Sequence, residues 1–308
     1  TGTHKTYCIA FDDRGISTKS NTLTIQVYKD IDLNTDILDV EYSDQPEIVF
    51  LLSNSKLFVI NPILEDVTSI IDLPFTDATS LDFLNTENIL YITSEQGRLL
   101  TWNSMTQVLN EVILNDITNI EDIEIDNDHN LALISNNKIL VINLTSGEKI
   151  NTRITLDPGS TLIFEKSQKL IIAGGNPNVS SSYIYLFQLG TDTLIYKKKS
   201  DIGGFGNRLQ LNPIGNDFCI SFKPRDNRTL INTYNTSNLS LYRTYQQQNA
   251  SVNSYSSDGN SFFIINNWDC ILDIYDTKGM FKIKSYPIPV GDHDYLNFLI
   301  PNINNTRL

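Results

Sequence analysis

Lys138-Ile139-Leu140-Val141-Ile142-Asn143, followed by Leu144-Thr145-Ser146-Gly147, is a short apolar run, a polar cap and a turn closed by glycine. Such a run bounded by turn residues reads as a β-strand. The same shape recurs along the chain. Lys56 to Ile60 ends in Asn61, Arg98 to Trp102 in Asn103, Tyr183 to Phe187 in Gln188, Leu230 to Tyr234 in Asn235, and Ile271 to Tyr275 in Asp276. Successive caps are 42, 40, 45, 47 and 41 residues apart. A period of about 40–50 residues made of short strands marks a β-propeller. One four-stranded blade cannot bury both its faces, so blades sandwich between neighbours and the array closes into a ring.

Each unit carries four pieces. In the second they are Ala78 to Phe83, Asn88 to Thr93, Gly97 to Trp102 and Gln107 to Leu114. In the third they are Ile120 to Ile125, Leu131 to Ser135, Lys138 to Ile142 and Lys149 to Leu156. Polar turns such as Asn85-Thr86-Glu87 separate them. No stretch holds an apolar period of 3.6, so no long helix is expected. Residues alternating on the third strands are expected to lie buried between blades: Leu57, Val59, Leu140, Ile142, Ile184, Leu186, Leu272 and Ile274.

The cap resembles the Trp-Asp position of WD-repeat propellers. Trp102-Asn103, Tyr275-Asp276, Tyr234-Asn235 and Ile142-Asn143 stand there, and Asp276-Thr277-Lys278-Gly279 is similar to the turn that follows it. The chain departs from that pattern in having no Gly-His dipeptide, and its one literal Trp268-Asp269 precedes a strand. The resemblance is to a degenerate WD-repeat or YVTN-type β-propeller, and it implies an all-β fold over most of the chain.

The two ends decide the blade count. Tyr7 to Gly15 has the strand, cap and glycine turn of the other units. From Asp276 through the C-terminus and on to Asp12 is 44 residues, one period. This predicts a seven-bladed propeller spanning 1–308, its last blade shared between Tyr295 to Ile300 with Thr306 to Leu308 and the N-terminal strands at Tyr7 to Phe11 and Thr22 to Tyr28. The alternative takes residues 1–30 as the end of a β-sandwich and 31–308 as a propeller of six full blades. Residues Tyr7 to Ile25 also resemble the last hairpin of a fibronectin type III or immunoglobulin-like domain.

Length suits one propeller of six or seven blades, and 40% hydrophobic residues can fill its core. A net charge of −13 argues against nucleic-acid binding, which wants a basic surface. There is no apolar run of 18 residues, hence no expected transmembrane helix. The start at Thr1 suggests a piece of a longer chain. Localisation follows the N-terminal reading: cell surface or extracytoplasmic with a β-sandwich, cytoplasmic without. Cys8, Cys219 and Cys270 give no disulfide framework, and the last two are expected as small core residues in strands.

No catalytic constellation emerges, and no cofactor or metal is expected. His4, His129 and His293 are far apart, and Asp126-Asn127-Asp128-His129 reads as a turn cap. The Asp122, Glu124, Asp126 alternation lacks the glycine and distal glutamate of a calcium loop and reads as a solvent-facing strand edge. Gly203-Gly204-Phe205-Gly206 is not followed by the Lys-Ser or Lys-Thr of a phosphate loop.

Loop lengths are more informative. The fourth unit inserts Gly174 to Ser182, the fifth inserts Lys223 to Arg228, and Ser200 to Gly206 links the two units. All three would open on one face of one sector, where a rigid scaffold concentrates binding residues. The expected partner site is Asn176, Asn178, Phe205, Arg208, Lys223, Arg225 and Arg228, with Phe205 on a glycine-flanked tip as apolar anchor. The function these features suggest is a non-enzymatic interaction or scaffold module for a protein partner. A cell-surface or secreted propeller binding a carbohydrate or other small or anionic ligand is the alternative.

Overall fold

The computed structural model describes residues 2–6, 9–11, 17–19, 23–27, 33–44, 47–62, 64, 66–114, 116–156, 160–165, 169–174, 182–189, 193–200, 205–214, 216–223, 228–248, 250–256, 258–266, 269–278 and 281–287. Among them every helix or strand is a strand. The N-terminal segment contributes β1 (Gly2–Thr6), β2 (Ile9–Phe11), β3 (Ser17–Lys19) and β4 (Leu23–Val27). Six four-stranded antiparallel sheets follow, each in simple sequence order.

Blade 1 is β5 (Asp39–Asp44), β6 (Glu47–Leu52), β7 (Lys56–Asn61) and β8 (Asp66–Asp72). Blade 2 is β9 (Ala78–Leu84), β10 (Ile89–Ser94), β11 (Arg98–Asn103) and β12 (Leu109–Ile113). Blade 3 is β13 (Ile120–Ile125), β14 (Asn130–Ser135), β15 (Lys138–Asn143) and β16 (Lys149–Thr155). Blade 4 is β17 (Thr161–Glu165), β18 (Lys169–Gly174), β19 (Ser182–Gln188) and β20 (Thr193–Ser200). Blade 5 is β21 (Phe205–Leu211), β22 (Asp217–Lys223), β23 (Arg228–Asn235) and β24 (Leu241–Gln248). Blade 6 is β25 (Ala250–Tyr255), β26 (Ser261–Asn266), β27 (Ile271–Asp276) and β28 (Lys282–Pro287). From β5 to β25, first strands of successive blades touch, so these are the inner strands.

The propeller therefore has six blades, which corrects the seven-blade expectation. The N-terminal strands pair with one another, β1 with β4 and β2 with β3, and none joins the sheet of a blade. Period counting measures chain length between caps but carries no information on which strand edge is met. Pairing within residues 2–27 closes short loops, whereas a blade shared by the two ends must bring together strands nearly a whole chain apart, at greater entropic cost. Tyr295 to Ile300 and Thr306 to Leu308 lie outside the described residues.

The core sits between blades. Leu140 and Ile142 pack toward blade 2, against Tyr91 and Leu99. Ile139 and Val141, on the other face of the same strand, pack toward blade 4 with Leu170, Ile172, Tyr185 and Phe187. A middle strand of a blade is thus covered on both sides, which is why its sequence is an unbroken apolar run rather than an alternation. Leu57, Val59, Leu140, Ile142, Ile184, Leu186 and Leu272 are buried as expected, and Ile274 is half-buried. The outer strands β12 and β28 are exposed along their whole length. Cys219 is a core residue, but Cys270 is half-buried in the turn before β27 with a φ of 51°, not in a strand.

The caps explain the repeat chemically. Asn143 Oδ1 accepts hydrogen bonds from the amides of Thr145 (3.1 Å) and Ser146 (2.8 Å). Asn103 Oδ1 does the same for Met105 and Thr106, and Asn235 Oδ1 for Ser237. An asparagine at the strand end thereby mimics the backbone of a turn.

Candidate functional site

Each blade has two ends. The turns after its first and third strands open on one face, here called the turn face. The turn after its second strand and the crossing to the next blade open on the other, the crossing face. Blades 4 and 5 reach farther on the crossing face. β19 has 7 residues and β23 has 8, where β11, β15 and β27 have 6. Since the caps Gln188 and Asn235 align with Asn143, the extra residues all add at the crossing end. There Ser182 pairs with Ser200, and Arg228 pairs with Gln248. Each added residue extends a strand by about 3.3 Å.

That raised sector is basic. The end of β20 carries Lys197, Lys198 and Lys199, paired with Tyr185, Ile184 and Tyr183 of β19. The Lys197 ammonium lies 4.2 Å from the Tyr183 ring centroid and 5.3 Å from that of Tyr185, a cation–π seat that orders its long side chain. In blade 5, Phe205 opens β21 opposite Lys223 at the end of β22, Arg208 pairs with Ser221, and Arg228 opens β23. Phe205, Arg208, Lys223 and Arg228 therefore share one sheet. Phe205 is the first residue of a strand rather than a loop tip. Asn176, Asn178 and Arg225 lie outside the described residues. The lysine triplet was missed in the sequence, although three consecutive lysines in a chain of net charge −13 are themselves a signal.

The inner strands of blades 1 to 3 carry the opposite charge. Asp39 Oδ2 accepts from the Leu81 amide (3.0 Å) and the Ser80 hydroxyl (2.9 Å) of the next blade. Asp82 Oδ2 accepts from the Ile125 amide (2.5 Å). Asp122 Oδ2 accepts from the Leu162 amide (3.0 Å) and the Thr161 hydroxyl (2.9 Å). One aspartate per blade thus staples its inner strand to the next. Burial pushes Asp82 and Asp122 each up to about 7, against the amide hydrogen bonds that favour the charged form. Glu124, hydrogen-bonded to Asp82, is held well above the usual carboxylate range, first by burial and then by the Asp82 charge. Asp122 and Glu124 are therefore not a solvent edge. Asp122 bridges the inner strands of blades 2 and 4, accepting from Ser80 (3.3 Å) as well as from Thr161 and Leu162, and Glu124 meets Asp82 of blade 2.

The turn at Asp126 caps itself as expected. Asp126 Oδ1 accepts from the amides of Asp128 (2.9 Å) and Asn130 (2.8 Å). His129 Nε2 sits 3.0 Å from Glu87 of blade 2, an inter-blade contact. Among the described residues no group of three or more His, Cys, Asp or Glu is placed to hold a metal, and no helix is long and apolar enough to cross a membrane.

No protein-family profile matches the chain, and neither does any curated protein sequence. Solved structures do. Hsv2 of Kluyveromyces lactis is similar at 14% identity, covering 85% of each chain with a TM-score of 0.62. The Cps50 (Swd1) β-propeller domain of Myceliophteria thermophila is similar at 13% identity, covering 82% of this chain and 86% of that one with a TM-score of 0.64. Hydrazine synthase of Kuenenia stuttgartiensis is similar at 11% identity, covering 86% and 89% with a TM-score of 0.63. At these identities the likeness is one of fold, and the fold of this chain is that of a β-propeller.

Proposed function

We propose that the chain is a non-catalytic interaction module whose crossing face, at blades 4 and 5, takes an acidic segment of a partner protein. The observation that carries this reading is the basic sector itself. The strands of two adjacent blades are lengthened toward one face, and the strand ends there hold Lys197 to Lys199, Lys223 and Arg228 on a chain of net charge −13. Clustered cations repel one another at an electrostatic cost, which an anionic partner offsets. The same charge pattern steers an acidic partner to this sector. Arg208 and Arg228, with Arg225, meet carboxylates in bidentate fashion, while Phe205 supplies apolar contact. Asn176 and Asn178 are assigned amide contacts with the partner on sequence position alone.

The test is fluorescence anisotropy with labelled peptides rich in Asp and Glu, and with basic peptides as controls. The acidic set binds and the basic set does not. The combined substitution Lys197→Glu, Lys223→Glu and Arg228→Glu weakens binding at least about tenfold, the scale of roughly 1.4 kcal/mol. Phe205→Ala weakens it comparably without lowering the melting temperature. Equal binding by the charge-reversed protein overturns the reading.

A further inference from the structure

We propose that the turn-face cleft between blades 5 and 6 is a second ligand site, for a saccharide that carries a carboxylate. The propeller supplies its own comparison. A cleft of about 430 Å³ lies between blades 3 and 4, and one of about 520 Å³ between blades 5 and 6. Their walls are in register. Asn130 pairs with Asn143 as Asp217 pairs with Asn235, and Val141 pairs with Ile150 as Thr233 pairs with Arg243. Leu189 follows its cap as Thr277 follows Asp276. Where the first cleft has Val141, Ile150 and Leu189, the second has Thr233, Arg243 and Thr277. The fold makes the cleft in both places, but only the first keeps the aliphatic lining that simple packing favours.

The polar groups of the second cleft are held in place from within. Asp217 accepts from the Tyr255 hydroxyl at 2.9 Å and from the Asn212 amide at 3.2 Å, one bond on each carboxylate oxygen. Burial raises the Tyr255 phenol, so it stays a neutral donor to Asp217. Arg243 gives one N–H to the Lys278 carbonyl at 3.1 Å, which fixes a guanidinium that has five donors. Gly259, with a φ of +65°, makes the wall possible. A Cβ there would stand 2.2 Å from Asn212 Oδ1 and 2.4 Å from Ile214 Cγ1. Arrangement before binding spares the ligand the ordering cost.

The ligand class follows from what these groups can satisfy. Tyr242 lines the cleft and is 62% exposed, and its ring suits the C–H face of a sugar. Asp217 and the Asn216 amide accept from and donate to ring hydroxyls. Arg243 and Lys278 supply positive charge for one carboxylate. A neutral sugar leaves that charge unmatched, while a phosphate dianion meets repulsion from Asp217. The volume falls within the range of small-ligand sites, about 300–1,000 Å³.

The experiment is an NMR titration of the intact chain with glucuronic acid and with N-acetylneuraminic acid, glucose serving as the neutral control. Either acid shifts resonances of residues 212–217 and 242–245, and glucose binds at least tenfold more weakly. Arg243→Ala abolishes the preference for the acids. Tyr242→Ala, at an exposed position where unfolding is not at issue, weakens binding of both kinds. Arg228→Glu leaves all of this unchanged, which separates this site from the crossing-face reading. No saturable shift with either acid at millimolar concentration overturns the proposal, and so does equal affinity for glucose or indifference to Arg243→Ala.

Discussion

The asparagine caps show how one residue type propagates through the repeat. Four residues after the caps Asn103, Asn143 and Asn235, the turn demands a left-handed backbone: Gly147 has φ +75°, Gln107 +60° and Leu239 +54°. In each case that residue's amide returns to the cap carbonyl, at 2.8 Å for Gly147 and Gln107 and 3.0 Å for Leu239. Glycine meets this demand without a steric cost, and other residues pay roughly 1 kcal/mol or more. A Cβ on Gly147 would meet nothing within 4 Å, so substitution there isolates the backbone effect. Gly147→Ala is expected to lower stability by about 1 kcal/mol, and Gln107→Gly to raise it by a smaller amount, since glycine also loosens the unfolded chain. Urea unfolding midpoints of the two variants check both signs. The caps were legible in the sequence because Asn, Asp and Gln stand at a fixed period. The backbone demand behind them was legible only at Gly147, because Gln107 and Leu239 hide it.

At the scale of strands, legibility tracked burial on both faces. Third strands such as β15 lie between two neighbours and announce themselves as apolar runs. Ile142, 4% exposed, is packed against blade 2, and Ile142→Asp places a carboxylate there without a partner. It is expected to abolish cooperative unfolding of the ring or to cost several kcal/mol, read from a circular dichroism melt. Inner strands were misread for a physical reason. Alternating Asp122, Ile123, Glu124 and Ile125 looks the same whether the acids face water or the next blade. The structure puts them in inter-blade staples, and this carries a pH signature. In the unfolded chain Asp82 and Asp122 titrate near 3.8, while burial holds them near 7 in the fold. Between those values the folded state keeps protons that the unfolded chain releases. Their contribution is therefore fully present below about pH 4 and lost as pH rises through 7. The melting temperature is expected to fall between pH 5 and pH 8. Asp82→Asn, which cannot ionise, should flatten that fall, and calorimetry at the two pH values measures it. An identical fall in the variant would assign the pH dependence to other groups.

For the whole molecule, the period fixed the architecture, but the blade count turned on edge pairing that no period encodes. Six complete sheets occupy residues 39–287, and the N-terminal strands pair among themselves. Deleting residues 1–30 should thus leave a single cooperative melt at an unchanged temperature. A seventh blade shared with the N-terminus would instead lose two strands and a ring closure, and the melt would drop sharply or broaden. The proposed partner site draws on two signals: loop lengths in the sequence, which point to blades 4 and 5, and the strand register, which sets the β20 lysines at the crossing end of blade 4.

The central claim is that a basic sector on the crossing face of blades 4 and 5 receives an acidic protein segment. Amide hydrogen exchange with and without saturating acidic peptide tests it most directly, because protection maps the contact onto the backbone. Exchange is expected to slow at the crossing-face ends of β20, β21, β23 and β24, around residues 197–200, 205–208, 228–230 and 246–248, with no change in β11 or β15. Protection confined to blades 1 to 3, or to the turn face at residues 212–217 and 277–278, would contradict it.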